Sequence, residues 1–165
     1  MSDNHAVVVD PAVAGRLVIR AVPEPTPDRG EAIVRVRAIS LNRGEVRRST
    51  MAAAGWRPGW DLAGSIERAA ADGSGPKVGA RVVGFLPEGA WAERVAVPTH
   101  ALAALPEKVT FSQAATFPVA GLTALHALAK NGTILGKRVL VTGATGGVGD
   151  FAVQLARLGG AHVTA

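Results

Sequence analysis

The chain has 165 residues, of which 48% are hydrophobic and 19% charged, and it contains neither cysteine nor tyrosine. This composition predicts a packed core and argues against disorder. The lack of cysteine excludes disulfides, thiolate metal ligands and a cysteine nucleophile. The net charge of +5 comes from scattered basic residues, which favours a solvated surface with a few anion-binding side chains over a nucleic-acid interface. No apolar run approaches the roughly 20 residues that span a bilayer, and the N-terminal segment lacks the pattern of a secretory signal, so we expect a cytoplasmic protein.

The first two-thirds of the chain predicts short β-strands separated by proline- or glycine-rich turns. Branched apolar residues, or an alternation of apolar and polar residues, mark the strands. They cover residues 6–9, 16–22, 31–40, 62–69, 80–85 and 90–97. Residues 42–49 predict a short helix instead. Several short strands at close spacing indicate a small barrel or sandwich.

Beyond Pro106 the pattern changes from strands to helices. Ser112 can cap a short helix over residues 113–117, and a longer helix is predicted over residues 119–130, where an Asn-Gly pair ends it. We therefore predict two domains, residues 1–117 and residues 118–165.

The last thirty or so residues predict a strand, a glycine-rich turn, a helix and a second strand. The apolar run 139–141 suits a central parallel strand, and apolar residues then recur at helical spacing. Glycines let the backbone approach a pyrophosphate, and the free N–H groups at a helix start bind its charge. This context predicts a dinucleotide-binding turn. Its members are Ala144, Thr145, Gly146, Gly147, Val148 and Gly149.

Two residues depart from the usual dinucleotide-binding pattern. Ala144 stands where the first glycine of G-x-G-x-x-G is expected. Asp150, in the first turn of the helix, would repel a phosphate unless its side chain points outward. The alternative is a tight strand-to-helix turn that binds no nucleotide.

Six segments, in a common order, resemble the quinone oxidoreductase branch of the medium-chain dehydrogenase/reductase superfamily. The resemblance implies an α/β fold: a GroES-like barrel domain followed by an incomplete Rossmann domain, which is a doubly wound parallel sheet. Because members of the family are longer, we expect a fragment of a protein that forms a homodimer when complete. The segments are SLNRGEV (40–46), PGWDLAG (58–64), VGARVVGF (78–85), GAWAERVAVP (89–98), AATFPVAGLTALHAL (114–128) and VLVTGATGGVGDFAVQLARLGGAHVTA (139–165).

The resemblance also implies site residues in the cleft between the two domains. Asn42 and Arg43 would be catalytic, beside the nicotinamide and the substrate, and Thr123 would contact the cofactor. Arg47 stands where many relatives carry a tyrosine, and it can pair with a cofactor phosphate. Simpler alternatives are a helix N-cap for Asn42, a buried hydroxyl bonded one turn back for Thr123 and a surface position for Arg47.

The resemblance implies an enzyme without a metal. Zinc-dependent members of the superfamily place a cysteine at the position of Asn42 and a histidine at that of Trp60, and both are replaced here. The four histidines are far apart in the sequence, without ligand spacing. By analogy with the branch we expect NADP as the cofactor, with NAD possible and no zinc.

The predicted function is hydride transfer from NAD(P)H to a quinone or an activated alkene or carbonyl. A close alternative is a 2-enoyl thioester reductase. Different alternatives are a non-catalytic protein that binds nucleotide or RNA, and a chain with no activity of its own. We expect a small-molecule substrate and neither a nucleic acid nor a membrane as partner. Met51, Trp56 and Trp60 would line the substrate or pack the barrel, and Asp61 would fix the loop after Trp60.

Overall fold

The computed structural model describes residues 4–165. Its contacts divide the chain into two compact units, with the boundary between Ala115 and Thr116. The boundary expected from the sequence, between residues 117 and 118, falls just beyond this point. In the part of the chain that is described, no helix is long and apolar enough to cross a membrane.

The first unit is rich in antiparallel sheet. The strands are β1 (Asn4–Val9), β2 (Leu17–Val22), β3 (Glu31–Ile39), β4 (Asp61–Arg68), β5 (Arg81–Phe85), β6 (Arg94–Pro98) and β7 (Leu102–Ala104), and the helices are α1 (Arg43–Ser49) and α2 (Phe111–Ala115). β1 and β2 form a hairpin, and the other strands form one sheet in the order β6-β3-β4-β5-β7. A 3-10 turn, Thr99–Ala101, connects β6 to β7.

The larger hydrophobic cluster of the first unit joins four strands of the five-stranded sheet, and a smaller one lies between the sheet and α2. Val34, Leu62, Val82 and Val97 come from four different strands, and each is fully buried. Full burial of such a side chain stabilises the fold by about 1.5–3 kcal/mol. Along β3, Val34 is buried and Arg35 and Arg37 are exposed, as the alternation predicts. Ile33, which the same alternation puts on the side of the arginines, is buried as well, so the prediction of a single buried face is wrong at that end of the strand.

The side chain of Asn4, the first residue of β1, is bonded to the backbone of Arg94 at the start of β6. The fully buried Asn4 donates from Nδ2 to the Arg94 carbonyl at 2.9 Å, and its Oδ1 accepts the Arg94 N–H at 3.0 Å. The Val7 N–H donates to the Trp91 carbonyl at 2.8 Å. A side chain amide thus pairs with a strand backbone as another strand would.

Two details of the predicted strands are wrong. The predicted strand 90–97 begins only at Arg94, because the Ala90 N–H donates to Gly59 at 3.0 Å and the Trp91 N–H donates to Pro58 at 3.2 Å. These bonds hold the segment before Arg94 in a loop. Strand β7 has no counterpart in the sequence prediction.

The predicted helices after residue 106 need correction as well. Thr110, and not Ser112, caps α2: its Oγ1 accepts the Gln113 N–H at 3.2 Å, and its own N–H donates to Gln113 Oε1 at 3.0 Å. The helix therefore begins two residues earlier than predicted and ends at Ala115. The predicted helix 119–130 is divided into a π-helical turn, Phe117–Gly121, and α3 (Leu122–Ala129).

The second unit contains one strand–helix–strand motif. Strand β8 (Arg138–Leu140) and strand β9 (His162–Thr164) are parallel neighbours, and helix α4 (Gly147–Leu158) connects them. Phe151 of α4 packs on Phe117, with ring centroids 5.0 Å apart. This βαβ arrangement is the beginning of a doubly wound sheet, as predicted.

Candidate active site

The cofactor turn, residues 143–149, joins β8 to α4. Gly143 has a φ of +65°, in the left-handed region that favours glycine. The Gly146 N–H donates back to the Gly143 carbonyl at 3.0 Å, and Gly146 then serves as the N-cap of α4 with an extended backbone. The chain therefore reverses within a few residues and enters the helix directly.

The glycines of the cofactor turn have different roles. A Cβ at position 149 would lie 2.1 Å from the Gly143 oxygen, so the turn can close only on a glycine. A Cβ at position 146 would be 3.3 Å from the same oxygen, and one at 147 would be 3.7 Å from Ala120. Gly146 and Gly147 are exposed and can leave bare backbone facing a ligand.

The start of α4 offers backbone donors to an anion. The first intrahelical bond recorded there runs from the Asp150 N–H to Gly146 at 2.9 Å, and the N–H groups of the preceding three residues have no acceptor within a helix. With the helix dipole they favour a phosphate. Asp150 is exposed, and its Oδ2 accepts from Gln154 Nε2 at 2.8 Å, one turn further along α4.

In the first unit, Asn42 lies at the N-terminus of α1. Its backbone is extended, and its N–H donates to Glu45 Oε2 at 2.6 Å, which is part of a capping box. The Asn42 side chain donates from Nδ2 to Asp61 Oδ2 at 2.7 Å. The helix predicted for residues 42–49 is thereby confirmed, with Asn42 as its N-cap.

Glu45 and Asp61 form a buried carboxylate pair beside Asn42. Neither residue has exposed area. Burial raises the pKa of Glu45 above its ordinary value, the hydrogen bonds from Asn42 and from the Trp60 N–H lower it, and the nearby Asp61 adds a smaller upward effect. Glu45 is not among the site residues predicted from the sequence, although its position three residues after Asn42 is the spacing of a capping box.

The tryptophan at position 60 covers the first turn of α1. A Cβ at Gly44 would lie 2.5 Å from the edge of the Trp60 ring. Trp56 is engaged elsewhere: its Nε1 donates to Glu88 at 2.7 Å, and the Arg48 guanidinium lies 4.9 Å from its ring centroid. Trp60 is therefore the aromatic side chain that shapes the surroundings of Asn42.

The predicted site residues outside the cofactor turn and Asn42 are exposed. Arg43 and Arg47, four residues apart on α1, share one face of that helix. Thr123 is exposed on α3 of the second unit, so the alternative of a buried hydroxyl is wrong. Within residues 4–165 no cluster of three or more histidine, aspartate or glutamate side chains is arranged to hold a metal. The absence of zinc stays a prediction.

Known proteins match both the sequence and the structure. Residues 28–107 match the alcohol dehydrogenase GroES-like domain. Over 160 residues the chain is 37% identical to the chloroplastic quinone-oxidoreductase QR1 of Triphysaria versicolor, covering 87% of this chain and 49% of that protein. The chain thus spans about half the length of the curated relatives it matches. Because these relatives are named chloroplastic, the cytoplasmic location also stays a prediction.

Two solved structures illustrate the structural match. The quinone oxidoreductase of Thermus thermophilus, which was also solved in complex with NADPH, is 35% identical with a TM-score of 0.83, covering 96% of this chain and 52% of that one. The CurK enoyl reductase is 26% identical with a TM-score of 0.91, covering 99% and 54%.

The matched domain, together with a parallel βαβ motif carrying a glycine-rich turn, defines a medium-chain dehydrogenase/reductase. Within that superfamily the chain is similar in sequence and in structure to quinone oxidoreductases, as its sequence predicted.

Proposed function

We propose that this chain is part of an NAD(P)H-dependent oxidoreductase that reduces a quinone, or an activated alkene or carbonyl, without a metal. The observation that carries the proposal is the cofactor turn, where exposed Gly146 and Gly147 leave bare backbone at the start of α4. The likeness to a quinone oxidoreductase solved with NADPH supports NADP as the cofactor. NAD remains the second choice, and a homodimer is the assembly we propose for the complete protein.

The residues present fit a dinucleotide in two respects. The N–H groups at the start of α4 would bind the pyrophosphate, and the bond from Gln154 holds the Asp150 carboxylate along the helix. Thr123 on α3 would add a contact to the cofactor, and Arg47 would pair with one of its phosphates. When bound, the reduced nicotinamide supplies the hydride.

The chain itself would stabilise charge on the acceptor. As a quinone takes up a hydride, negative charge develops on its oxygen, and donors aimed at that oxygen lower the barrier. Asn42 is half-buried at the start of α1, where its Nδ2 donates to Asp61, and the exposed Arg43 follows it in the chain. These two groups would hold the oxyanion, and water would supply the proton that completes the hydroquinone.

Nicotinamide fluorescence titrations with NADPH and with NADH test the cofactor site. Gly146→Asp places a carboxylate against the pyrophosphate and should weaken binding at least about tenfold, or 1.4 kcal/mol. Ala129→Asp adds the same charge on an exposed position of α3 that does not share the face of Thr123, and it should bind as the wild type does. No binding by a folded wild-type chain would contradict the proposed site.

A 2-enoyl thioester reductase is the second candidate, because the likeness to the CurK enoyl reductase extends over nearly the whole chain. Steady-state rates with a para-quinone and with a 2-enoyl thioester, each with NADPH, separate the two. A higher kcat/KM for the thioester would replace the first candidate with the second. Salt-dependent RNA binding without turnover would favour the non-catalytic alternative.

A further inference from the structure

Arg16, in the turn between β1 and β2, has an unusual backbone conformation. Its φ is +61°, and within residues 4–165 it is the one non-glycine residue with a positive φ. This left-handed region is disfavoured for residues that carry a β-carbon. Backbone bonds hold the residue there: its N–H donates to the Val13 carbonyl at 3.1 Å, and its carbonyl accepts the Asp10 N–H at 2.7 Å. Because a glycine would adopt this conformation without strain, the contacts of the arginine side chain explain its presence.

The guanidinium of Arg16 caps the C-terminus of α1, which lies 33 residues further along the chain. Its Nε donates to the Ser49 carbonyl at 3.3 Å, and its Nη2 donates to the Ala52 carbonyl at 2.7 Å. Carbonyls at the end of a helix lack intrahelical donors, and a cationic side chain is a favourable partner for them. One side chain, directed by a left-handed backbone, thus holds both the last residue of α1 and the loop that follows it.

The cap acts on the last turn of α1 through a single peptide group. The Ser49 carbonyl and the Thr50 N–H belong to the same planar peptide. Arg16 binds the oxygen of this peptide, and the N–H donates to the Arg47 carbonyl at 3.3 Å. Thr50 Oγ1 donates to the same carbonyl at 2.7 Å. Because hydrogen bonds in such a chain strengthen one another, Arg16 fixes the backbone from which the exposed side chain of Arg47 extends.

We propose that Arg16 is a positioning residue for the cofactor: by capping α1 it holds the guanidinium of Arg47 where it can bind a phosphate of the dinucleotide. The inference rests on the proposed function, which assigns that phosphate contact to Arg47. A purely structural cap would stabilise α1 as well. Its effect on cofactor affinity, however, would not depend on the side chain at position 47.

A double-mutant cycle on the Kd of NADPH, measured by nicotinamide fluorescence, separates the two roles. Arg16→Asn suits the left-handed backbone, which asparagine tolerates, but its side chain is too short to reach α1. The substitution should raise the Kd about three- to tenfold in the otherwise wild-type chain, and less than about twofold in an Arg47→Gln background, where the residue through which it acts is gone. Arg47→Gln alone should raise the Kd at least as much as Arg16→Asn does.

Arg20→Asn is the matched control for the loss of charge. Arg20 lies in the same hairpin and is paired with Asp10 of that hairpin, so its replacement removes the same charge without touching the cap of α1. The Kd of this variant should stay within about twofold of the wild-type value, because exposed charges are screened by salt. Arg16→Lys keeps the charge but lacks the two-branched donor, and it should raise the Kd less than Arg16→Asn does.

The outcomes distinguish this inference from the proposed function. An equal rise in Kd with arginine and with glutamine at position 47, or no rise in a folded Arg16→Asn chain, would overturn the inference and leave the proposed function intact. If Arg16→Asn does not fold, Arg16→Lys takes its place in the cycle under the same criteria. A folded wild-type chain that binds no NADPH would refute the proposed function and this inference with it.

Discussion

The backbone of Gly149 packs directly on the carbonyl of Gly143, so closely that a Cβ at position 149 would be 2.1 Å from that oxygen and 2.7 Å from the Cα of Ala144. Real Cβ atoms are not found at such distances. The last glycine of the cofactor turn is buried, and its role is to let the first turn of α4 close on the loop that precedes it. The position of the exposed N–H groups at the start of α4 depends on this buried contact between Gly149 and Gly143.

Substitution of Gly149 by alanine should therefore open the cofactor turn. We expect a loss of about 1–3 kcal/mol in the free energy of unfolding, as for overpacked sites, together with loss of NADPH binding. Urea unfolding and fluorescence titration measure the two effects. Gly147→Ala is the matched control for stability, since its Cβ would be 3.7 Å from Ala120, an ordinary contact. An equal loss of unfolding free energy in the two variants would contradict the assigned role of Gly149.

Gly44→Ala should be destabilising even though alanine is the better helix former. Its methyl group would enter the Trp60 ring, whose nearest atom is 2.5 Å from the Cβ position, and overpacking of this kind costs about 1–3 kcal/mol. In a Trp60→Leu background the same change should be neutral or stabilising by about 0.5–1 kcal/mol. A double-mutant cycle of unfolding free energies measures this coupling. Additive effects would show that the ring and the helix do not meet.

The buried Glu45 should make stability depend on pH in a defined direction. Because burial raises its pKa above the ordinary value of 4.5, the folded protein holds this proton more tightly than the unfolded chain does. Its stabilising contribution is complete below about pH 4.5 and is lost as the pH rises through the folded pKa. The unfolding free energy of the wild type relative to Glu45→Gln should therefore fall as the pH rises above about 4.5. Glu107→Gln, at an exposed glutamate, should follow the wild type throughout, and a rising difference for Glu45→Gln would contradict the sign.

Asn4→Ala should destabilise the first unit by about 1–3 kcal/mol, because it leaves the N–H and the carbonyl of Arg94 without the partners that now satisfy them. Thermal and urea unfolding check the value. Asn131→Ala offers a comparison, since its amide donates to Ala127 at an exposed position and should cost no more than about 0.5 kcal/mol. A loss at Asn4 as small as this would mean that water replaces the amide.

Local sequence patterns were sufficient for most of the fold. The alternation in β3 and the helical spacing in α4 predict elements that form. The apolar run at 139–141 also predicts a strand that forms, β8, but Leu140 is 71% exposed and not buried as a central strand would be. The wrong predictions concern segments whose backbone conformation is determined by residues distant in the sequence. The loop before Arg94 is set by backbone bonds to residues 58 and 59, and β7 is a three-residue strand held by pairing with β5.

The candidate site also has one part that the sequence predicts and another that depends on tertiary contacts. The cofactor turn is a contiguous motif whose glycine spacing is visible in the sequence. The bond between Asn42 and Asp61 joins residues 19 positions apart, and no periodicity links them. Glu45 was recognisable in principle as a capping-box acid, but its burial follows from the position of Trp60, which only the tertiary structure supplies.

The bonds that Asn4 makes to Arg94 also constrain the order of folding. Strand β1 can pair with β2 as soon as both have left the ribosome, because the hairpin is local in sequence. Its other edge has to wait for a segment 90 residues later to be synthesised. Contacts of such long sequence separation slow folding, so during synthesis a nascent chain carries an unpaired strand edge until the barrel closes. The first domain is therefore complete only when β1 has bonded to the segment around Arg94, in the last third of that domain.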